Sequence, residues 1–161
     1  MEFTIRNMAR DDLQQVQKVA KTSWNVTYDG IIPLEIQESF LQSAYNHEML
    51  LKRLENSYIW VSEIDGIVVG FANFSPVNKN GETELSAIYL MPEYQGKGIG
   101  TALLNQGINH LKGVKEIFIN VERDNKIGSA FYQAKGFNVV HEFDEDFEGH
   151  LLKTVRMVLK R

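Results

Sequence analysis

An α+β domain built on one mixed, mostly antiparallel sheet of about six or seven strands flanked by helices is the fold class the sequence predicts. Three observations carry this. Apolar residues in the N-terminal third step by threes and fours, the period of an amphipathic helix. The middle of the chain alternates short apolar runs with tight-turn dipeptides, the pattern of an antiparallel meander. A glycine-rich loop then leads from a strand into a helix, and the chain ends on two more strands.

The elements follow in order. After a first strand near the N-terminus, Leu13, Val16, Val19, Ala20 and Trp24 mark a helix behind Asp11 and Asp12, whose charge suits a helix start. Tyr28-Asp29-Gly30 punctuates, Pro33 opens a second helix carrying Ile36, Phe40 and Leu41, and a third short helix is expected around His47 to Leu54. Tyr58 to Val61 and Ile67 to Phe74 flank Asp65-Gly66, a strong hairpin signal. A turn at Asn78-Lys79-Asn80-Gly81 leads into the strand Leu85 to Leu90. Beyond Pro92 and the glycine loop lie a helix with Ile99, Leu103, Leu104, Ile108 and Leu111, a strand over Ile117–Val121, and a short helix from about Lys126 to Lys135 that Gly136 is placed to cap at C′. Phe137 to Phe143 and Leu151 to Leu159 close the sheet as two strands joined by an acidic turn. The expected order is β-α-α-β-β-β-α-β-α-β-β.

Composition narrows the function classes. The 161 residues are 43% apolar and 24% charged, with no segment rich in Pro, Ser or repeated charge and no internal repeat, so residues 1–161 read as a single domain. Absence of Cys excludes a disulfide scaffold, a Cys-ligated zinc site, an iron–sulfur cluster and a cysteine nucleophile. The four His, at 47, 110, 141 and 150, have no metal-ligand spacing, and no metal is expected. A formal charge of −4 gives no pull toward nucleic acid or an anionic membrane and suits a small cationic partner. No apolar run approaches the ~18 residues of a membrane helix, and the start of the chain is unlike a secretion signal, so a cytoplasmic protein is expected.

The segment that carries chemistry is Gln95-Gly96-Lys97-Gly98-Ile99-Gly100-Thr101, between a strand and a helix. Its glycines let the backbone approach a ligand closely, and consecutive N–H groups at a helix start form a site for phosphate oxygens. It is not a Walker A loop, because Lys97 is followed by Gly98. Nor is it a dinucleotide fingerprint, because it reads G-x-G-x-G and follows an antiparallel meander.

Two blocks resemble a known family. Ala87-Ile88-Tyr89-Leu90-Met91-Pro92-Glu93-Tyr94-Gln95-Gly96-Lys97-Gly98-Ile99-Gly100 is similar to the acetyl-CoA signature of the GNAT family of N-acetyltransferases, [RQ]-x-x-G-x-[GA]. Downstream, Asn125-Lys126-Ile127-Gly128-Ser129-Ala130-Phe131-Tyr132-Gln133-Ala134-Lys135-Gly136-Phe137 is similar to the family's N-x-x-[AG]-x-x-[FL]-Y-x-x-x-G-F. The resemblance spans the whole order of elements and implies the GNAT fold, with acetyl-CoA as co-substrate. By the same resemblance, the backbone of Ile88, Tyr89 and Leu90 pairs with the pantetheine arm. The amides of Gln95, Gly96, Lys97, Gly98, Ile99, Gly100 and Thr101 hold the pyrophosphate. Asn125 lies near the pantetheine, with a plain helix N-cap as its other reading. Tyr132 lies beside the thioester sulfur, with a packed core aromatic as its other reading.

The chemistry explains the need for these groups. An alkyl amine has a pKa of about 10.4 and must lose a proton before it attacks a thioester, so a base is required. The leaving thiolate, of pKa about 8.5, can take a proton from a phenol, which makes Tyr132 the expected general acid. Glu84 is the expected base, working through water as carboxylates on this strand do in similar enzymes. Glu82 shares its strand parity, and His141 and His150 are the other titratable candidates.

For the acceptor, a small-molecule primary amine is expected, with a polyamine suggested by a looser resemblance of Trp24 to Pro33 to a subgroup containing bacterial spermidine/spermine N-acetyltransferases. Trp24 and Tyr28, one helical turn apart, are expected to line its site, with a core role as the alternative. Glu142, Asp144, Glu145, Asp146 and Glu148 concentrate negative charge near the terminal turn, where they either attract a polycation or form a solvated turn. The alternatives to this enzyme are an acyl-CoA-binding or sensing module without transfer and an acetyltransferase for a protein N-terminus or lysine. Similar enzymes are often dimers, and a homodimer is an open expectation.

Overall fold

The computed structural model describes residues 2–161. The elements are β1 (Thr4–Asn7), α1 (Leu13–Thr27), α2 (Leu34–Tyr45), α3 (His47–Asn56), β2 (Tyr58–Ile64), β3 (Ile67–Phe74), β4 (Glu82–Leu90), α4 (Ile99–His110), β5 (Glu116–Glu122), α5 (Lys126–Ala134), β6 (Asn138–Phe147) and β7 (His150–Lys160). Three helices, not two, therefore precede the meander. The extra one is the short helix expected at His47, held at its start by Asn46, whose side chain accepts from the Met49 N–H. Among the described residues no helix is long and apolar enough to cross a membrane.

The seven strands form one sheet in the order β1-β2-β3-β4-β5-β7-β6. Asp65 and Gly66, both at positive φ (50° and 80°), turn β2 into β3 in the manner of a two-residue hairpin. Every neighbouring pair is antiparallel except β4 with β5, which run parallel because α4 crosses between them. That parallel pairing is short, running from Glu82 opposite Glu116 to Glu84 opposite Phe118. Beyond it β4 continues to Leu90 and β5 to Glu122 without pairing to each other, so the sheet opens into a V.

A bulge in β4 sits at the apex of this V. Asn73 of β3 faces Ala87 while Phe74 faces Leu85, which leaves Ser86 as an extra residue on β4. The bulge reverses the alternation of side chains. Leu85 packs on the α4 side with Phe74, Ile99, Leu103 and Leu104, whereas Ala87 packs on the other face with Val16, Val19 and Phe71. Each sheet face thus has its own core, and a third, smaller cluster joins Trp24, Ile32 and Leu152 where α1 meets the terminal hairpin.

Gly136 follows α5 as expected: the Phe137 N–H reaches the Tyr132 carbonyl and the Gly136 N–H reaches that of Gln133. The end of the chain corrects one expectation. The acidic run is strand rather than turn, because β6 extends to Phe147 and only Glu148 and Gly149, at φ 49° and 86°, make the reversal. The half-buried Phe143, Glu145 and Phe147 alternate with exposed Glu142, Asp144 and Asp146, the period of a strand with one covered face.

Candidate active site

The glycine loop leaves β4 through a 3-10 turn at Pro92–Tyr94 and enters α4 at Ile99. Gly96 and Gly98 lie at φ 75° and 85°, a region costly for residues with a Cβ, and Gly98 is the N-cap of α4. Among the described residues, no acceptor meets the amides from Gly96 to Thr101; the next N–H, of Ala102, bonds to the Gly98 carbonyl. The loop therefore presents a row of free N–H donors at the positive end of a helix dipole.

These donors face a cavity of about 370 Å³ within the V. Its walls are β4 from Leu85 to Leu90, the end of β5 at Asn120 and Val121, and α5 with Phe131 and Tyr132 and its flanking Asn125 and Lys135; Ser23, Trp24 and Thr27 of α1 and Tyr28 just past its end close it. The β4 edge from Leu85 onward has no strand beside it on the β5 side, so its backbone groups are free to pair with an extended ligand. Of the expected loop residues, Gln95, Gly96, Gly98, Gly100 and Thr101 line the cavity. Ile99 turns its side chain fully into the core, and the Lys97 side chain is outside the lining, so each offers only its backbone amide.

Tyr132, Tyr28 and Tyr89 come together around the cavity. Tyr132 sits edge-on to Phe131 and Phe137, with ring centroids 5.5 and 5.3 Å away. Burial, reinforced by Tyr89, raises its hydroxyl well above the ordinary phenol pKa, so it stays protonated at neutral pH. Burial likewise raises Tyr28 and Tyr89. Tyr28 also feels Tyr89 and Tyr132, with Asn125 opposing and Glu122 adding to the rise. Asn125 fills both of the positions open to it from sequence: its Oδ1 accepts the Gly128 N–H at 3.0 Å as the N-cap of α5, and it lines the cavity.

Trp24 is both wall and core. Only 6% exposed, it stacks on Phe40 at 4.5 Å and on Phe147 at 6.0 Å, with Tyr28 tilted against it at 4.5 Å. The terminal hairpin thereby reaches α1, and the aromatic layer behind the cavity is shared by three elements.

The carboxylates divide sharply. Glu84, the last β4 residue paired with β5, is held by two bonds from Arg156, at 3.1 Å from Nη1 and 2.9 Å from Nη2, and lies outside the cavity lining. Arg156 also donates to Asn120 Oδ1 at 2.9 Å and lies 4.7 Å from the centre of the Phe118 ring. Two residues past Asn120 on the same face of β5 stands Glu122, a carboxylate absent from the expected set. It is 7% exposed, and burial raises its pKa. The sequence signal that points to it is parity: Ile117, Ile119 and Val121 alternate with Phe118, Asn120 and Glu122, which places Glu122 on the sheet face that carries Glu84 and Arg156. In the acidic run, Asp144 pairs with Lys153 at 2.7 Å, Glu145 accepts from the Thr154 hydroxyl, Asp146 accepts the Gly149 N–H and Glu148 bonds Ser39. His141 is exposed against Phe143, and neither it nor His150 lines the cavity.

A split mixed sheet with a phosphate-binding helix start beside the split defines an acyl-CoA-dependent acyltransferase architecture. The model of the acetyltransferase (GNAT) family matches residues 17–137, and the chain belongs to that family. It is 33% identical over 155 residues to the spermidine N(1)-acetyltransferase of Thermoplasma acidophilum, with 91% of this chain and 95% of that protein covered. The crystal structure of the PaiA N-acetyltransferase of Thermoplasma acidophilum in complex with coenzyme A superposes with a TM-score of 0.86 at 31% identity, covering all of both chains. The ribosomal-protein-S18-alanine N-acetyltransferase of Escherichia coli shares the fold, with a TM-score of 0.74 at 21% identity and coverage of 99% and 94%. The protein is an N-acetyltransferase that uses acetyl-CoA as co-substrate.

Proposed function

We propose that the acceptor is a polyamine, acetylated at a primary amine by direct attack on the thioester. The observation that carries this reading is the similarity along nearly the whole chain to a spermidine N(1)-acetyltransferase. It is supported by a cavity whose far wall is aromatic at Trp24 and Tyr28 and whose neighbouring strand β6 is rich in carboxylates. Aromatic faces and a concentrated negative field both favour a cation with several charges.

In this reading the free amides from Gly96 to Thr101 hold the pyrophosphate of acetyl-CoA, while the Gln95 N–H is taken by the Pro92 carbonyl. The free edge at Ile88, Tyr89 and Leu90 pairs with the pantetheine arm, and Asn125 bounds it from the side of α5. Acetyl-CoA supplies the activated acyl group and a thiolate leaving group. Tyr132 donates its proton to the departing sulfur. Burial disfavours a free thiolate beside the phenol as well as a phenolate, so a proton passed to the departing sulfur avoids leaving a bare buried anion there. Glu84, paired with Arg156 and set back from the cavity, takes the amine's proton by way of water. No covalent enzyme intermediate is required, which suits a chain without Cys.

The test is release of CoA thiol from acetyl-CoA across spermidine, spermine, simple diamines, aminoglycosides, amino acids and short basic peptides. Saturable turnover confined to the polyamines is expected. Turnover of peptides alone would replace the polyamine by a protein acceptor, and silence with acetyl-CoA binding intact would favour the sensing module.

A further inference from the structure

Among the described residues two carboxylates are almost fully buried, Asp12 and Glu122, at 5% and 7% exposure. Their surroundings are opposite. Asp12 takes two bonds from the Arg6 guanidinium, at 2.8 and 2.9 Å, and this partner lowers its pKa. No Lys, Arg or His of the described residues forms a salt bridge with Glu122. Its Oε2 accepts the Asp124 N–H, at 2.6 Å, and the Asn125 N–H also favours the ionised form, so its donors are backbone groups of its own turn and none is a cation. The nearest strand cation on that face, Arg156, is spent on Glu84 and Asn120. The β7 residue opposite Glu122 is the neutral Thr154, whose hydroxyl is donated to Glu145.

Glu122 does not line the cavity but adjoins residues that do. It follows Asn120 and Val121 in β5, its backbone carbonyl accepts the Asn125 N–H, and its charge reaches the Tyr28 hydroxyl from β5 toward α1. The other charges acting on it come from its own turn, Asp124 and Arg123, which stand 3.9 Å apart as a pair. An ionised carboxylate buried without a counter-ion destabilises the fold unless something else compensates it. An ammonium in the adjoining part of the cavity would supply that compensation.

We propose that Glu122 is a positioning residue for the acceptor: its charge, without a cationic partner and set behind the cavity-lining Val121 and Asn125, favours a protonated amine in the cavity over a neutral molecule of the same shape. The inference rests on the amine-acceptor reading and deepens it by naming the group that selects for charge.

Glu122→Gln tests it, because the amide oxygen still accepts the Asp124 N–H while the charge is removed. KM for spermidine is expected to rise about tenfold, the scale of one partly screened charge interaction across a short distance. kcat is expected to stay within about twofold, and KM for acetyl-CoA is expected not to move. In the wild type KM for spermidine rises as pH falls through the Glu122 pKa, because the neutral acid attracts no cation; in the variant that rise is absent. Stability gives a second sign. The folded pKa of Glu122 is raised above its ordinary value, so its ionised form destabilises the native state once pH exceeds that value. The variant should therefore melt higher than the wild type at neutral pH, and the gap should close as pH falls. A residue that merely braces the turn would show unchanged KM and an equal or lower melting temperature, which overturns the proposal. Should the variant fail to fold, the wild-type Glu122 carboxyl can be followed by carbon NMR. Its pKa must fall on saturation with CoA and spermidine, and an unmoved pKa overturns the proposal equally. A wild type that acetylates no amine sinks the acceptor reading and this inference together. A wild type active on spermidine beside an unaltered variant sinks only the role of Glu122.

Discussion

At the α4 end of the cleft the groups offered to a ligand are backbone amides; at the α1 and β6 end they are side chains. The first set is fixed by φ angles at Gly96 and Gly98 and by the start of one helix, so it forms wherever that loop forms. The second needs Trp24 and Tyr28 at the end of α1, backed by Phe147 from β6, to be brought together by the whole sheet, with Glu122 of β5 behind the lining. A local backbone site recognises what its ligand shares with many others, the phosphate. An assembled side-chain site is where a particular amine can be told from its neighbours. Tyr132 stands between the two ends, and replacing it gives the largest expected effect. Tyr132→Phe should lower kcat by roughly 10²–10⁴ while leaving acetyl-CoA affinity nearly unchanged. A normal kcat would make Tyr132 a packing residue against Phe131 and Phe137.

The backbone end is probed by Gly98→Val. A Cβ at Gly98 would meet nothing within 4 Å, so the fold has room for it, but the positive φ disfavours a branched side chain by about 1–2 kcal/mol. If the loop relaxes to escape that strain, its amides lose their alignment. CoA affinity measured by calorimetry should then fall about ten- to thirtyfold with KM for the amine unchanged. Equal CoA affinity would mean the amides are not the binding groups. Glu84→Gln should lower kcat/KM roughly tenfold, less than the range expected for a group that touches the reacting atoms. No change would leave the Arg156 pair as a clamp at the apex of the V and nothing more.

The same contrast explains what could be read from sequence. The glycine loop, the hairpin at Asp65-Gly66 and the cap at Gly136 are local, and residue type at fixed spacing identifies each one. The Asn125 and Tyr132 block is local too, and both residues lie in the cavity. Glu84 is reachable through the family resemblance, parity leaving it level with Glu82, but its bidentate partner Arg156 lies 72 residues away in the chain and only the register of β5 with β7 reveals it. Glu122 is hidden for the same reason: at a strand end before a loop it reads as a solvated acid, and its burial depends on what the sheet places around it. The acidic run read as a turn because charge is more often solvated than pleated. Its strand character comes from pairing with β7 from Asn138 to Phe147.

That acidic strand carries the smallest effect. Asp144, Glu145 and Asp146 are each engaged within the hairpin, by Lys153, Thr154 and the Gly149 N–H, and two of the three point away from the covered face. Replacing them with Asn, Gln and Asn keeps the oxygens that accept those bonds, so the hairpin should hold its turn and melting should change little. What is lost is the negative field over the acceptor end. KM for spermidine should rise a fewfold with kcat unchanged. Because these charges are mostly exposed, the increment should shrink when ionic strength is raised well above ~0.15 M, where the screening length falls below about 8 Å. The rise in KM expected for Glu122→Gln should survive the same salt, since a buried charge is screened far less. Equal salt sensitivity in the two variants would show that the acceptor end works by diffuse attraction alone.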